Sequence, residues 1–177
     1  KFTFLVEMTA IHFKELRLLF PEKETVDFAP AFENQADEHA VTFGLDKKLY
    51  AIGGYGGPNK YFYLLIPLPE NLHSTCLNTV ERYDFKTKTW EPVANLNLPR
   101  RALTAVTMPD GIYAIGGFDG ENYLSTVERY DETQNEWVFV SSMNYPRCTF
   151  SAVASSDYQN IYVFGGFDNG PLNTAER

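Results

Sequence analysis

Along the last three quarters of the chain, short apolar or alternating runs are separated by clusters of Gly, Asp, Asn and Pro. Side chains on a strand point to opposite faces with period two, so such runs read as strands packed on one or both faces, and the clusters between them read as turns. Residues 102–108 (ALTAVTM) form one run, and Pro109, Asp110 and Gly111 turn the chain into 112–117 (IYAIGG). The polar loop 118–124 (FDGENYL) leads to 126–131 (TVERYD), and the turn 132–135 (ETQN) leads to 137–141 (WVFVS). Asn, Asp and Gly tolerate left-handed backbone or bond their own backbone, which suits them to these connections. Four strands joined this way predict one antiparallel sheet.

The same order recurs. LYAIGG (49–54), IYAIGG (112–117) and IYVFGG (161–166) each end in a glycine pair, and NTVERYD (78–84), STVERYD (125–131) and NTAER (173–177) follow them. TWEPVANLNLPR (89–100) and EWVFVSSMNYPR (136–147) come next. Glu81 and Glu128 are 47 residues apart, as are Trp90 and Trp137, while Gly116 and Gly165 are 49 apart. A period near fifty marks a repeat architecture in which neighbouring units bury each other's faces.

From residue 40 to 177, the recurring Gly-Gly, Tyr-Asp and Trp landmarks resemble kelch repeats. The resemblance implies an all-β fold, a kelch-type β-propeller fragment of four-stranded antiparallel blades in an incomplete ring. It implies an inter-blade core built from Tyr83, Trp90, Tyr130 and Trp137, with the glycine pairs where backbones converge near the axis and the double-glycine strands as equivalent inner strands. On this reading 1–39 is a divergent N-terminal segment, 40–98 and 99–145 are blades, and 146–177 is a partial blade lacking its fourth strand. Phe2 to Met8 resembles a fourth strand, with Phe2 at the Trp position. Residues 10–20 fit a short helix or an alternating strand. Propellers close with about four to eight blades, so the remaining blades are expected from a longer chain or from another subunit.

The first blade departs from the pattern. Between Gly54 and Val80 lie 25 residues, against 9 between Gly117 and Val127, which leaves 16 extra. The insert holds the greasy run 60–69 (KYFYLLIPLP), readable as an adhesive finger or as a segment folded over its own blade. Tyr61, Phe62 and Leu65 are its candidate contacts.

Charge and composition narrow the function. The chain is 44% hydrophobic with net charge -8 and no block of Lys or Arg, so nucleic acid and anionic membranes are poor partners. No apolar run is long enough to span a bilayer as a helix. Two distant cysteines, Cys76 and Cys148, and no N-x-S/T site fit a reducing, cytoplasmic setting; one long-range disulfide is the alternative. His12, His39 and His73 have no metal-like spacing. Gly53 to Gly57 ends a strand and opens no helix, so it is not a phosphate loop. Arg147 next to Cys148 would depress that thiol's pKa, although no histidine base lies nearby in sequence. The repeated Glu81 and Glu128 read as structural. No cofactor and no catalytic group is expected.

Protein binding remains. In kelch proteins partners dock on the face made by the loops between the second and third strands and by the linkers between blades. Carried onto this chain, the resemblance places Arg100, Arg101, Arg147 and Cys148 on the linkers. It makes Arg101 and Arg147 the leading contacts, as arginines that grip carboxylates in a bidentate fork. Asp119, Asn122, Tyr123, Asp168 and Asn169 surround them. Two functions follow as expectations: a scaffold in a cytoskeletal or ciliary assembly, or the substrate-recognition propeller of a cullin-type ubiquitin ligase adaptor. A propeller enzyme or small-ligand binder is the remaining class.

Overall fold

The computed structural model describes residues 38–56 and 75–177. The expected strand at 2–8, the helix or strand at 10–20 and the insert run with Tyr61, Phe62 and Leu65 lie outside them. Every regular element among the described residues is a β-strand.

The first sheet is built from β1 (Ala40–Phe43), β2 (Leu49–Ile52), β5 (Val80–Asp84) and β6 (Thr89–Pro92), antiparallel throughout in that order. The second repeats it with β7 (Thr104–Met108), β8 (Gly111–Ile115), β9 (Val127–Asp131) and β10 (Glu136–Val140). The third holds β11 (Ser151–Ala154), β12 (Ile161–Phe164) and β13 (Ala175–Glu176). A two-stranded ribbon of β3 (Tyr55–Gly56) and β4 (Thr75–Cys76) stands at the base of the first blade's insert.

Neighbouring sheets meet through their first strands, β1 against β7 and β7 against β11. Thr42 and Thr107 share a hydroxyl hydrogen bond of 2.9 Å, and the Thr104 hydroxyl donates to the Phe150 carbonyl at 2.8 Å. The converging edge is therefore the first strand of each blade. The double-glycine strands lie second from it, at the same place in each sheet. Their glycines serve a different need. Gly116 and Gly117 have φ of 57° and 100°, and a Cβ on them would lie 2.6 Å from the Arg147 carbonyl and 2.8 Å from the Arg101 carbonyl. Left-handed backbone costs a side-chain-bearing residue energy, so the strands end before each pair and the linker of the adjoining blade closes over it.

The linkers repeat a strained device. Glu38, Ala102 and Thr149 all have positive φ, at 62°, 50° and 50°. The Ala102 N–H donates to the Glu38 carbonyl at 3.2 Å and the Thr149 N–H to the Ala102 carbonyl at 2.9 Å. Each blade thus hands one backbone hydrogen bond to the next, and that order over-determines the strained residues.

Of the four aromatic landmarks, Tyr130 and Trp137 lie in the inter-blade core, whereas Tyr83 and Trp90, 5.3 Å apart, cluster with Leu49 and Phe85 of their own blade. Tyr130 packs tilted at 5.0 Å from Trp137 and edge-on at 5.8 Å from Tyr50 of the first blade, and the Trp137 indole donates to the Ala94 carbonyl at 3.0 Å. Ile52, Leu96, Leu103, Ile112 and Ala114 complete that cluster, and Val106, Ile115, Val127, Phe150 and Val163 form its counterpart between the second and third blades. Trp137 is 5% exposed. Trp137→Ala should therefore cost about 3–5 kcal/mol in a urea denaturation, with the first two blades losing their shared cluster.

Candidate functional site

Consecutive linker residues take opposite directions. The Arg100 carbonyl accepts from Gly54 N–H at 2.7 Å, while Arg101 exchanges two backbone hydrogen bonds with Phe118, at 2.9 and 3.0 Å. That geometry turns the Arg100 side chain inward and leaves the Arg101 side chain one-third exposed. The next linker repeats it one period later: the Arg147 carbonyl accepts from Gly117 N–H at 2.9 Å, and Cys148 pairs with Phe167. Arg100 and Arg147 are therefore equivalent, and Arg101 is equivalent to Cys148.

The inward arginines are buried structural ions. Arg100 is 0% exposed and donates to Glu128 through Nε (3.1 Å) and Nη2 (3.0 Å), to the Gly116 and Thr126 carbonyls (both 2.8 Å) and to the Thr126 hydroxyl (2.9 Å). Glu128, also 0% exposed, accepts in addition from the Asn97 N–H and side-chain amide and from the Leu98 N–H. Arg147 repeats the pattern through Nη1 and Nη2 with Glu176, Gly165 and Thr174, while its Nε is buried without a hydrogen-bond partner, and Glu176 accepts from the Asn144 and Tyr145 N–H groups. Arg147 was expected on the docking surface; it is 0% exposed, because register places it with Arg100 rather than with Arg101. Nor does it sharpen Cys148. That thiol is buried, and burial pushes its pKa up. Cys76 is likewise raised by burial, and both cysteines are free.

The outward side is an aromatic-flanked cation. The Arg101 guanidinium carbon lies 4.8 Å from the Tyr55 ring centre and 5.0 Å from that of Phe118, with Glu38 at 4.0 Å. Phe118 packs 5.0 Å from Tyr123, which packs 5.8 Å from Phe167, so a ribbon of rings runs across the loops of two blades, and Arg101 joins it to Tyr55 of the first. Asp119 and Asn122 sit on the same loop. The Asp119 carboxylate caps it by accepting from the Glu121 and Asn122 N–H groups at 2.8 and 2.7 Å. Burial works to raise its pKa, but those hydrogen bonds outweigh it and hold the carboxyl below its ordinary range. Asp168 and Asn169 form the matching turn, joined at 3.0 Å, with Asn169 in left-handed backbone. The structure thus brings Arg101, Asp119, Asn122, Tyr123, Asp168 and Asn169 to one loop face and removes Arg147 from it. Tyr55, Phe118 and Phe167, each directly after a glycine pair and each the first residue of a loop expected to form the docking face, join it as well. Among the described residues, no cluster of His, Cys, Asp and Glu has metal-binding geometry.

The family model of the Kelch motif matches residues 39–97 and 99–144. The chain belongs to the kelch-repeat family. Kelch-like protein 1 of Mus musculus is 51% identical over 51 residues, 29% of this chain and 7% of that protein. The Kelch repeat and BTB domain-containing protein F47D12.7 of Caenorhabditis elegans is 46% identical over 46 residues, 26% of this chain and 8% of that protein. The kelch-repeat chain thus spans under a tenth of these curated relatives. The solved structure of YjhT superimposes with a TM-score of 0.59 at 14% identity, covering 74% of this chain and 45% of that one, which bears on the fold alone. Kelch relatives support a protein-interaction role for these repeats.

Two measurements check the buried pairs. Removing one partner of a buried ion pair strands the other, so Arg100→Ala or Glu128→Gln should each cost about 3–5 kcal/mol by chemical denaturation. For Glu176, burial pushes the carboxyl up, but the Asn144 N–H and Arg147 pull it further down, so the net shift is downward. A depressed folded pKa stabilises above the unfolded value of about 4.3 and is lost as pH falls through the folded value. The stability gap between wild type and Glu176→Gln should therefore be full at pH 7 and shrink below about pH 4.

Proposed function

We propose that this kelch segment is a non-catalytic docking module whose loop face grips a carboxylate of a partner protein through Arg101. The single observation that carries the reading is the one-third-exposed guanidinium held between Tyr55 and Phe118. Two rings fix the side chain before binding, which lowers the ordering cost of an arginine fork. Glu38, at 4.0 Å, occupies the place a partner carboxylate would take. Tyr123 and Phe167 supply apolar area beside it, and aromatics with arginine are the usual anchors of protein interfaces. Asp119, Asn122, Asp168 and Asn169 form the polar rim, and Tyr61, Phe62 and Leu65 add contacts from the first blade's insert. A buried Cys148 with a raised pKa makes a poor nucleophile, which favours binding over chemistry.

Of the two assemblies expected from the sequence, the substrate-recognition propeller of a cytoplasmic cullin-type ubiquitin ligase adaptor is favoured over a cytoskeletal or ciliary scaffold. A relative whose name joins kelch repeats to a BTB domain supports it, since such adaptors join a BTB-like domain to their propeller. Nucleic acid and anionic membranes are disfavoured as partners by the net charge of -8.

Affinity capture with quantitative mass spectrometry tests this. Arg101→Glu should reduce recovery of the bound partner about tenfold, equivalent to about 1.4 kcal/mol. Its melting temperature should fall by no more than about 2–4 °C, the loss of two part-exposed cation–π contacts at about 0.5 kcal/mol each. An unchanged partner profile would remove Arg101 from the surface.

A further inference from the structure

The docking face sets one cation among several acids. Among the described residues, Arg101 is the one cation on it, while Glu38, Asp119, Glu121 and Asp168 stand on the same linker and loops. Arg100 and Arg147 are buried beneath, and Lys48, Arg82 and Arg129 pair with acids at the opposite ends of the strands. Burial is the main cause that raises both cysteine thiols, and the charges acting on them besides show how the face is laid out. Arg101 and Glu38 act on Cys76 and Cys148 alike, whereas Asp119 acts on Cys76 and Asp168 on Cys148. Acids thus stand on both flanks of the Arg101–Glu38 pair.

These acids stay charged. Burial works against ionisation of Asp119, but the Glu121 and Asn122 N–H groups outweigh it and keep the carboxylate ionised. Asp168 takes the Asn169 amide at 3.0 Å, and Glu121 is exposed. A polyacidic segment approaching Arg101 would meet these like charges, and such juxtaposition is how interfaces reject partners. The rings favour the opposite sign. Phe167, 39% exposed, lies beside Asp168, and aromatic rings attract cations. From Phe118 through Tyr123 to Phe167 the ring centres are 5.0 and 5.8 Å apart, a path covered by about three residues of extended chain.

We propose that the partner of this face is a segment bearing one carboxylate and, about three residues away, a lysine or arginine, and that it binds by exchanging ion pairs with Arg101 and Glu38. This names the partner's chemistry and rests on the carboxylate grip proposed above for Arg101. The incoming carboxylate takes the guanidinium between Tyr55 and Phe118, where Glu38 stands at 4.0 Å. The incoming cation lies along the ring ribbon and is met by the acids of the rim, Asp168 and Glu121 first. A segment with acids alone would satisfy Arg101 and leave Glu38 facing other carboxylates. The mixed segment supplies a cation in return for the one it takes.

The test uses the full 177-residue chain and three acetylated, amidated hexapeptides. The first is GDSYKG; in GDSYEG the cation becomes a carboxylate, and in GNSYKG the carboxylate becomes an amide. In an NMR titration at low salt, GDSYKG should bind about tenfold more tightly than either control. Reversing the rim charge with Glu121→Lys and Asp168→Lys together should invert the order of GDSYKG and GDSYEG. Both positions lie on surface loops, so that variant should melt within about 2 °C of wild type. GDSYEG binding as tightly as GDSYKG, or neither binding, overturns the proposal. So does an order that survives the double charge reversal. GDSYKG and GNSYKG binding alike would instead remove the Arg101 grip on which the proposal rests, and Arg101→Glu would then change neither affinity.

Discussion

Taking a guanidinium and a carboxylate out of water costs several kcal/mol per ion, and the attraction between them offsets this only when every remaining donor and acceptor is also used. Arg100 and Glu128 meet that condition: both are fully buried, and the pair draws in Asn97, Leu98, Gly116 and Thr126. Desolvation works to lower the Arg100 pKa, and Glu128 works to raise it. The pair joins the end of one blade to the third strand of the next. It is satisfied only when the linker, the glycine pair and the third strand all hold their places, so the other repeated features depend on it. A hydrophobic contact tolerates sliding; a five-donor fork between two fixed carbonyls and a carboxylate does not.

That constraint explains why the docking face exists where it does. Committing Arg100 inward fixes its carbonyl on Gly54, and the next residue, bonded to Phe118 on both backbone groups, must leave in the opposite direction. Arg101 therefore reaches the surface because Arg100 does not. The aromatic after the second and third glycine pairs, Phe118 and Phe167, then has a fixed partner, the residue one past the buried arginine. Rings 5.0 Å and 5.8 Å apart carry the contact from blade to blade. Rigidity at the loop face is inherited from the buried ions beneath it.

The blade architecture was legible because its causes are local. Glycine pairs, turn residues and the recurrence of Tyr-Asp and Trp each report a backbone or packing requirement within a few residues. The strand ends shifted by one or two positions because the sequence shows a glycine but not its φ; Gly116 and Gly117 leave strand geometry rather than finish it. The double-glycine strand lies between two others, while the strand before it meets the neighbouring blade. The linker arginines were harder still. Pro-Arg-Arg and Pro-Arg-Cys invite pairing Arg101 with Arg147 by residue type, whereas the structure pairs Arg100 with Arg147 by position. Only the recurrence of glutamate in VERYD and AER hinted that each linker arginine has a carboxylate waiting in the next blade.

Position and chemistry are thus separated by one residue along the linker. At the inward position both linkers carry arginine, since a different side chain would leave a glutamate and two carbonyls without donors. At the outward position one carries arginine and the other cysteine, and nothing in the frame objects to either. A repeat built this way keeps its architecture while its surface changes from blade to blade. The first residue of the pair is constrained by desolvation, which is unforgiving, and the second by whatever approaches from outside. Specificity in such a scaffold is therefore written on residues like Arg101, immediately beside the ones that cannot change.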